Sequence, residues 1–334
     1  MEIKRLGRTG LKVSEICLGT MTFGNQCDEP TSHAIMDRAV EHGVTFFDTA
    51  DAYPLGGTLE TAGRTEEFIG RWLKGRRDQI VLATKFFGKM GSGPNDQGGS
   101  RKHIMQAVED SLRRLQTDYI DLYQMHFPDY ETPLDETLRA LDDLVHSGKV
   151  RYIGCSNYPA WLLTKALWTS DKLGLARFDS VQPRYNILFR HIETELFPLV
   201  EDQGIGVISY NPLAGGVLTG RYRSGQEVEG GTRFSLENAG KIYRDRYWQE
   251  PQMRAVEELK RYCDEHNVSI AQVAIAWVLA QPAITSAIVG ASKPEQLDQS
   301  LPAVNLILDQ ELLDVCNDIW YQIPRERNKD VAYR

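Results

Sequence analysis

A closed barrel of eight parallel strands, (β/α)8, with a helix between successive strands, is the fold this sequence predicts, and three observations carry it. Apolar runs of four to eight residues alternate with amphipathic stretches of helical period along the 334 residues. Strict strand-helix alternation calls for a parallel sheet, and a count of eight runs favours closure over an open, doubly wound sheet. Titratable residues also stand at the C-terminal ends of three successive runs, where such barrels assemble their sites.

The chain opens with a hairpin, IKRLG and LKVSEI about the turn RTG. The eight runs follow as ICLGTM, VTFFDT, QIVLATKF, YIDLYQMH, VRYIGCS, SVQPRY, GVISYNP and SAIVGAS. Between them, HAIMDRAVEHG, EEFIGRWLKG, RKHIMQAVEDSLRRL and LDETLRALDDLVHSG carry the 3.6-residue pattern of half-buried helices. Gly43, Gly75 and Gly148 stand where C-caps belong, and Thr31 and Ser100 where N-caps belong. The span from Leu213 to Asn267 separates the seventh run from a helix at 269–281. Within it residues 221–248 read as a polar, irregular flap over the barrel mouth. After residue 308, DQELLDVCNDIWYQI reads as an extra helix and IPRERNKDVAYR as a charged tail that packs across the mouth or meets a neighbouring subunit. With no Pro/Gly/Ser-rich linker, residues 1–334 are expected to form one domain.

Composition narrows the function classes. The chain is 42% hydrophobic and 25% charged, enough apolar material for a large core. A net charge of −8 without a dense basic stripe argues against a nucleic-acid partner. The five cysteines, Cys17, Cys27, Cys155, Cys263 and Cys316, are scattered without a C-x-x-C pair, which points to reduced thiols and a cytoplasmic protein. The apolar stretch VAIAWVLA is short of the roughly 20 residues that span a bilayer, so no membrane association is expected. The seven histidines show neither H-x-H nor H-E-x-x-H spacing, and no metal is expected.

The segment DTADAY, after the run VTFF, places Asp48 and Tyr53 at a strand exit; Lys85 follows the third run's apolar core and His126 ends the fourth. A phenol has a pKa of about 10 and gives up its proton slowly at neutral pH. A lysine cation beside it stabilises the phenolate and lowers that pKa, a carboxylate holds the lysine, and an imidazole orients a substrate oxygen. The four together read as a general acid aimed at a carbonyl or alkoxide. No G-x-G-x-x-G follows the first run, so a Rossmann site is not expected. The later strand ends instead offer amides, hydroxyls and glycines: Ser156, Asn157 and Gln182 for a carboxamide, and Tyr210 to stack on a flat ring. GASKPEQL opens a helix after the last run, where barrels commonly bind phosphate.

In LGTMTFG (18–24), DTADAY (48–53), ATK (83–85), QMH (124–126), GCSN (154–157) and YNPLAGGVLTG (210–220), the chain resembles the aldo-keto reductase superfamily over nearly its whole length. LAGGVLTGRY and GASKPEQL are most similar to its bacterial general-reductase and potassium-channel β-subunit branch. The resemblance implies an NADP(H)-dependent oxidoreductase that reversibly reduces an aldehyde or ketone. Tyr53 would be the proton donor, tuned by Lys85 and Asp48, with His126 orienting the carbonyl. The implied cofactor contacts are Gly19, Thr20, Met21, Asp48, Ser156, Asn157, Gln182, Tyr210, Asn211, Pro212, Leu213, Gly215, Leu218, Gly220, Gly290, Ser292, Lys293, Gln296, Gln299 and Ser300. Gln296 stands where many members carry an arginine and Ser300 where many carry an asparagine; Lys293 supplies a positive charge there, and NADP(H) is expected over NAD(H). Phe23, Phe87 and Phe127 join Tyr53 and His126 as expected substrate contacts, with Met21 and Trp248 extending an apolar wall; Arg184, Tyr185 and Asn186 add polarity suited to a sugar or keto acid. The alternative is a redox-sensing regulatory subunit with slow turnover. A homo-oligomer is compatible with either.

Overall fold

The computed structural model describes residues 1–324; residues 325–334, most of the expected charged tail, lie outside the described residues. The hairpin pairs β1 (Ile3–Arg5) with β2 (Lys12–Ser14) in antiparallel register, Ile3 opposite Ser14. The eight runs become β3 (Ile16–Gly19), β4 (Phe46–Asp48), β5 (Val81–Phe86), β6 (Ile120–Met125), β7 (Val150–Ser156), β8 (Ser180–Gln182), β9 (Gly206–Ser209) and β10 (Ile284–Gly290). They close in the order β10-β3-β4-β5-β6-β7-β8-β9, every pair parallel.

Apolar burial separates into two bodies. Leu6, Val13, Cys17, Phe46, Ala83, Leu122 and Ile208 form a smaller cluster from the hairpin and inward-facing strand positions. The hairpin supplies Leu6 and Val13 to this packing and is tied to the chain before β9 by Arg8 N–H donating to Gly204 O at 2.7 Å. The larger body lies between strands and helices, as period-two strands with both faces covered require.

The surrounding helices are α1 (Glu29–Glu41), α2 (Arg64–Trp72), α3 (Arg101–Leu115), α4 (Leu134–His146), α5 (Ala160–Leu173), α6 (Leu196–Gln203), α7 (Glu237–Tyr247), α8 (Glu250–Glu265), α9 (Ile270–Leu279), α10 (Glu295–Ser300) and α11 (Gln310–Gln322). In α3, Ile104, Val108, Leu112 and Leu115 recur at three- and four-residue spacing and are all buried. Each such side chain contributes roughly 1.5–3 kcal/mol of burial. Ser100 caps this helix, accepting from His103 N–H at 3.3 Å. At α1 the cap differs from expectation: Asp28 accepts from Thr31 N–H at 2.9 Å, and Pro30 fits the first turn, where a missing N–H costs nothing. Gly43, Gly75 and Gly148 adopt φ of 80°, 79° and 77°, the left-handed conformation that ends a helix most easily with glycine.

The expected flap is more ordered than its polar composition indicates. Residues 237–247 form α7, with Tyr243 and Tyr247 buried beneath it, and Phe234 is buried just before it. Phe234 packs against Trp248 (ring centroids 4.8 Å) and Tyr222 (5.3 Å). Aromatic packing holds a helix that charge composition conceals. All five cysteines are buried free thiols. Among the described residues no helix is long and apolar enough to cross a membrane.

Candidate active site

Strand register brings the candidate residues together at the C-terminal end of the barrel. Asp48 ends β4 opposite Gly19 and Ala83; Lys85 lies opposite Gln124, Gln124 opposite Gly154, and Ser156 opposite Gln182. With a side-chain period of two, Lys85 shares the inward face with Ala83. Its ammonium is wholly buried and donates to Asp48 Oδ1 at 2.5 Å and to Thr49 O at 2.8 Å. Asp48 Oδ2 accepts from Gln124 Nε2 at 3.0 Å and from Gln182 Nε2 at 2.9 Å. Asp48 is therefore the hub, and Gln124 is a member that sequence reading did not select although it stands in the QMH segment.

Tyr53 follows on the loop after β4, its carbonyl accepting from Gly63 N–H at 3.0 Å. Lys85 Nζ lies 5.1 Å from its ring centroid, and the His126 ring meets it edge-on at 5.8 Å. Burial raises the phenol pKa above the ordinary tyrosine value; the Lys85 charge opposes this and the Asp48 charge adds to it. The expected lowering by lysine is present but outweighed, because desolvation penalises the phenolate more than one shared cation repays. Burial also works against the Lys85 ammonium, yet Asp48 and Tyr53 together raise its pKa, so it is charged. His126 is pushed well below the usual histidine range, first by burial and then by the Lys85 charge, and is neutral.

This last shift predicts a pH dependence. Below about pH 6.5 the unfolded chain takes up a proton at His126 that the folded protein refuses until its lower pKa is reached. Stability is full above that window and falls as pH drops through it, by at most about 1.4 kcal/mol per pH unit for one proton. Urea midpoints at pH 7.5, 6.5 and 5.5 should fall less steeply in His126→Asn than in the parent protein; parallel slopes would refute the assignment.

The remaining polar candidates form a second group beside the hub. Asn157, at φ 62°, donates from Nδ2 to His126 O (2.9 Å) and Ser156 Oγ (3.0 Å), and its Oδ1 accepts from the Tyr210 hydroxyl at 2.7 Å. Ser156 Oγ donates to Gln182 O at 2.8 Å. Thr20 Oγ1 donates to Asp48 O at 2.9 Å, and Met21 O accepts from Leu55 N–H. Gly19 and Gly290 are paired at the β3–β10 seam, where a Cβ on Gly290 would lie 3.0 Å from Gly19 O. Further round, Asn211 lies at φ 60° with a buried Nδ2 lacking a hydrogen-bond partner, beside Pro212 and the partly buried Leu213. Gly215 and Gly220 take φ 72° and 71°, left-handed positions that suit glycine. The Leu218 side chain points into the core, which leaves only its backbone for a ligand. Ser292 N–H donates to Gln296 Oε1 at 2.8 Å, Lys293 and Gln299 are exposed, and Ser300 ends α10.

On the substrate side, Phe127 is 44% exposed and stacks on His126 at 4.8 Å, and Phe87 lies 6.0 Å from Phe127. Phe87 has φ 119°, a backbone strain of about 1–3 kcal/mol for a bulky residue, of the kind that gathers at binding sites. Phe23 is a correction: it is fully buried in the main core and offers the mouth no surface. Tyr185 and Asn186 are likewise fully buried, bonded to Glu193 (2.5 Å) and to Asn211 O and Tyr247 (2.9 and 3.2 Å). Arg184 packs over the Phe189 ring at 3.5 Å, and Trp248 belongs to the aromatic group under α7.

A family model described as the aldo/keto reductase family matches residues 15–320, which take in all eight barrel strands. The chain belongs to this family. It is 42% identical to the uncharacterized oxidoreductase YrpG of Bacillus subtilis over 96% of each chain. It is 41% identical to a probable voltage-gated potassium channel subunit beta of Arabidopsis thaliana, over 92% of each. Norsolorinic acid reductase A of Aspergillus parasiticus is 33% identical, over 92% of this chain and 78% of that one. This aldo/keto reductase family member is accordingly an oxidoreductase.

Proposed function

We propose that this family member reversibly reduces an aldehyde or ketone to an alcohol with NADP(H). The observation that carries the reading is the convergence of Tyr53, His126 and the buried Lys85–Asp48 pair at one end of the barrel. Tyr53 gives its proton to the carbonyl oxygen, which becomes an alkoxide as it is reduced. Lys85 offsets the charge left on Tyr53, and Asp48 fixes Lys85 with help from Gln124 and Gln182. Neutral His126 offers an N–H to the same oxygen without competing as an acid, so the two donors act as an oxyanion hole. Phe87 and Phe127 flank the carbonyl's substituent.

A nicotinamide group fits the residues present. The Asn211 amide is buried with its Nδ2 unpartnered, a donor that an acceptor on the bound group would satisfy. When bound, NADP(H) would supply the hydride. Ser156, Asn157 and Gln182 would hold its carboxamide, Tyr210 would stack on the ring, and Lys293 with Ser292 and Gln296 would meet the phosphorylated ribose.

The Arabidopsis relative, a probable voltage-gated potassium channel subunit beta, favours one further reading: a redox-sensing regulatory subunit with slow turnover. Tryptophan fluorescence quenching by NADPH and NADH, followed by absorbance of the reduced nicotinamide on adding aldehydes and ketones, decides between them. NADPH binding with turnover is the expected result. Binding without turnover across the panel transfers the assignment to the regulatory reading, and binding of neither nucleotide overturns both.

A further inference from the structure

Behind the Lys85 wall, between barrel and helices, lies an ionic cluster that the proposed reduction does not use. Glu66, in the first turn of α2, is wholly buried. Its Oε1 accepts from Thr84 Oγ1 at 2.6 Å and its Oε2 from Arg114 Nε at 2.7 Å. Arg114 lies in the last turn of α3 with its side chain only 12% exposed, and it reaches Ser111 Oγ at 3.4 Å. Asp51, also wholly buried, senses the charges of Glu66, Arg114 and Lys85.

The helix pair is built to admit this cluster. Gly63, at φ 87°, lies where a Cβ would come within 2.5 Å of Arg114 Cδ, and a Cβ on Gly70 would come within 2.2 Å of Arg114 O. A buried ion pair stabilises a fold no better than apolar residues of the same size, and often less well. Its presence here calls for another reason, and strand pairing supplies one. On the β4 side, the ladder of β5 stops at Ala83, opposite Asp48. Beyond that point β5 is held on this side by two loop amides, Thr49 N–H to Ala83 O (2.9 Å) and Asp51 N–H to Lys85 O (3.0 Å). Thr84 and Lys85 point to opposite faces of the strand, so a tie on Thr84 fixes the strand's rotation and with it the direction of Lys85.

We propose that Glu66 is a positioning residue for Lys85, acting through its hydrogen bond to Thr84 and itself held by Arg114. Asp51 completes the clamp through its backbone bond to the Lys85 carbonyl. The inference rests on the proposed reduction for its catalytic consequence, but the orientation of Lys85 is open to measurement without any cofactor.

The test compares Thr84→Val, Thr84→Ser and the double variant Glu66→Leu/Arg114→Met, which removes both charges together and so avoids stranding one. In the cofactor-free protein, the ammonium of Lys85 is followed by its nitrogen–proton NMR signal, assigned by its loss in Lys85→Met. Thr84→Val and the double variant should shift or broaden that signal, and Thr84→Ser should restore it. In turnover, Thr84→Val should lower kcat about tenfold while KM and NADPH affinity stay within about twofold, since a tenfold rate change needs only a small loss of transition-state fit. An unmoved Lys85 signal with parental kcat in both Thr84→Val and the double variant overturns the inference, even where their Tm falls. Absence of turnover in the parent protein counts against the reduction itself, and the NMR signal then judges the positioning role alone.

Discussion

Tyr53→Phe should lower carbonyl reduction by about 10²–10⁴-fold, the range a positioned general acid contributes, while leaving the fold and NADPH affinity nearly unchanged. The substitution removes one hydroxyl and keeps the ring that meets His126 edge-on at 5.8 Å and lies 5.1 Å from the Lys85 ammonium. Lys85 keeps both its partners, Asp48 Oδ1 and Thr49 O, so no charge is stranded. The phenol is half-buried and its pKa is raised, which makes it a group that holds its proton across the neutral range and releases it only to a stronger base such as a forming alkoxide. Phenylalanine cannot donate at all. Single-turnover rates and fluorescence titration with NADPH, run side by side, check the two halves of the expectation. A variant that retains more than about a tenth of the parental rate would remove Tyr53 from the acid role, because donation by water through the vacated position would not supply the contribution expected of a placed acid.

Strand ends were the legible part of this site. Asp48, Lys85 and His126 each follow an apolar run, and parallel register alone carries them to one end of the barrel. The caps show where local reading runs out. Thr31 and Asp28 are both good capping residues, and Pro30 between them decides in favour of Asp28 because proline is tolerated in a helix's first turn. In residues 221–248 the charges are conspicuous and draw attention from the aromatics spaced among them, yet Tyr222, Phe234, Tyr243 and Tyr247 are buried, so tertiary packing overrides polar composition. Phe23 follows the end of a strand run, which predicts a place at the mouth; the loop after β3 turns its side chain into the core instead. The balance of forces on Tyr53 was out of reach as well. A sequence names the lysine that lowers its pKa but not the depth of burial that raises it. Glu66 and Arg114 lie on different helices, and only the helix crossing reveals that they meet.

The pairing of Lys85 with Asp48 should separate stability from catalysis. Lys85→Met leaves Asp48 buried and charged without its cation, and removing one partner of a buried pair typically costs about 3–5 kcal/mol. The two amide donors, Gln124 and Gln182, remain on Oδ2 and hold the loss toward the lower end of that range. Replacing both, as Lys85→Met with Asp48→Leu, removes the stranded charge, and apolar side chains of similar volume in a buried pair's place are often neutral or stabilising. The double variant should therefore regain most of the stability lost in Lys85→Met, short of what the two glutamine amides forfeit when their acceptor goes. Turnover should not return, because a phenolate left on Tyr53 would face burial with no cation to offset it. Urea unfolding of the parent, the single and the double variant gives the stability order, and single-turnover reduction gives the rate. Recovery of stability with reduction still lower by two or more orders of magnitude would assign the pair to catalysis. Recovery of both would show that Lys85 serves the fold alone and that Tyr53 needs no cation to act.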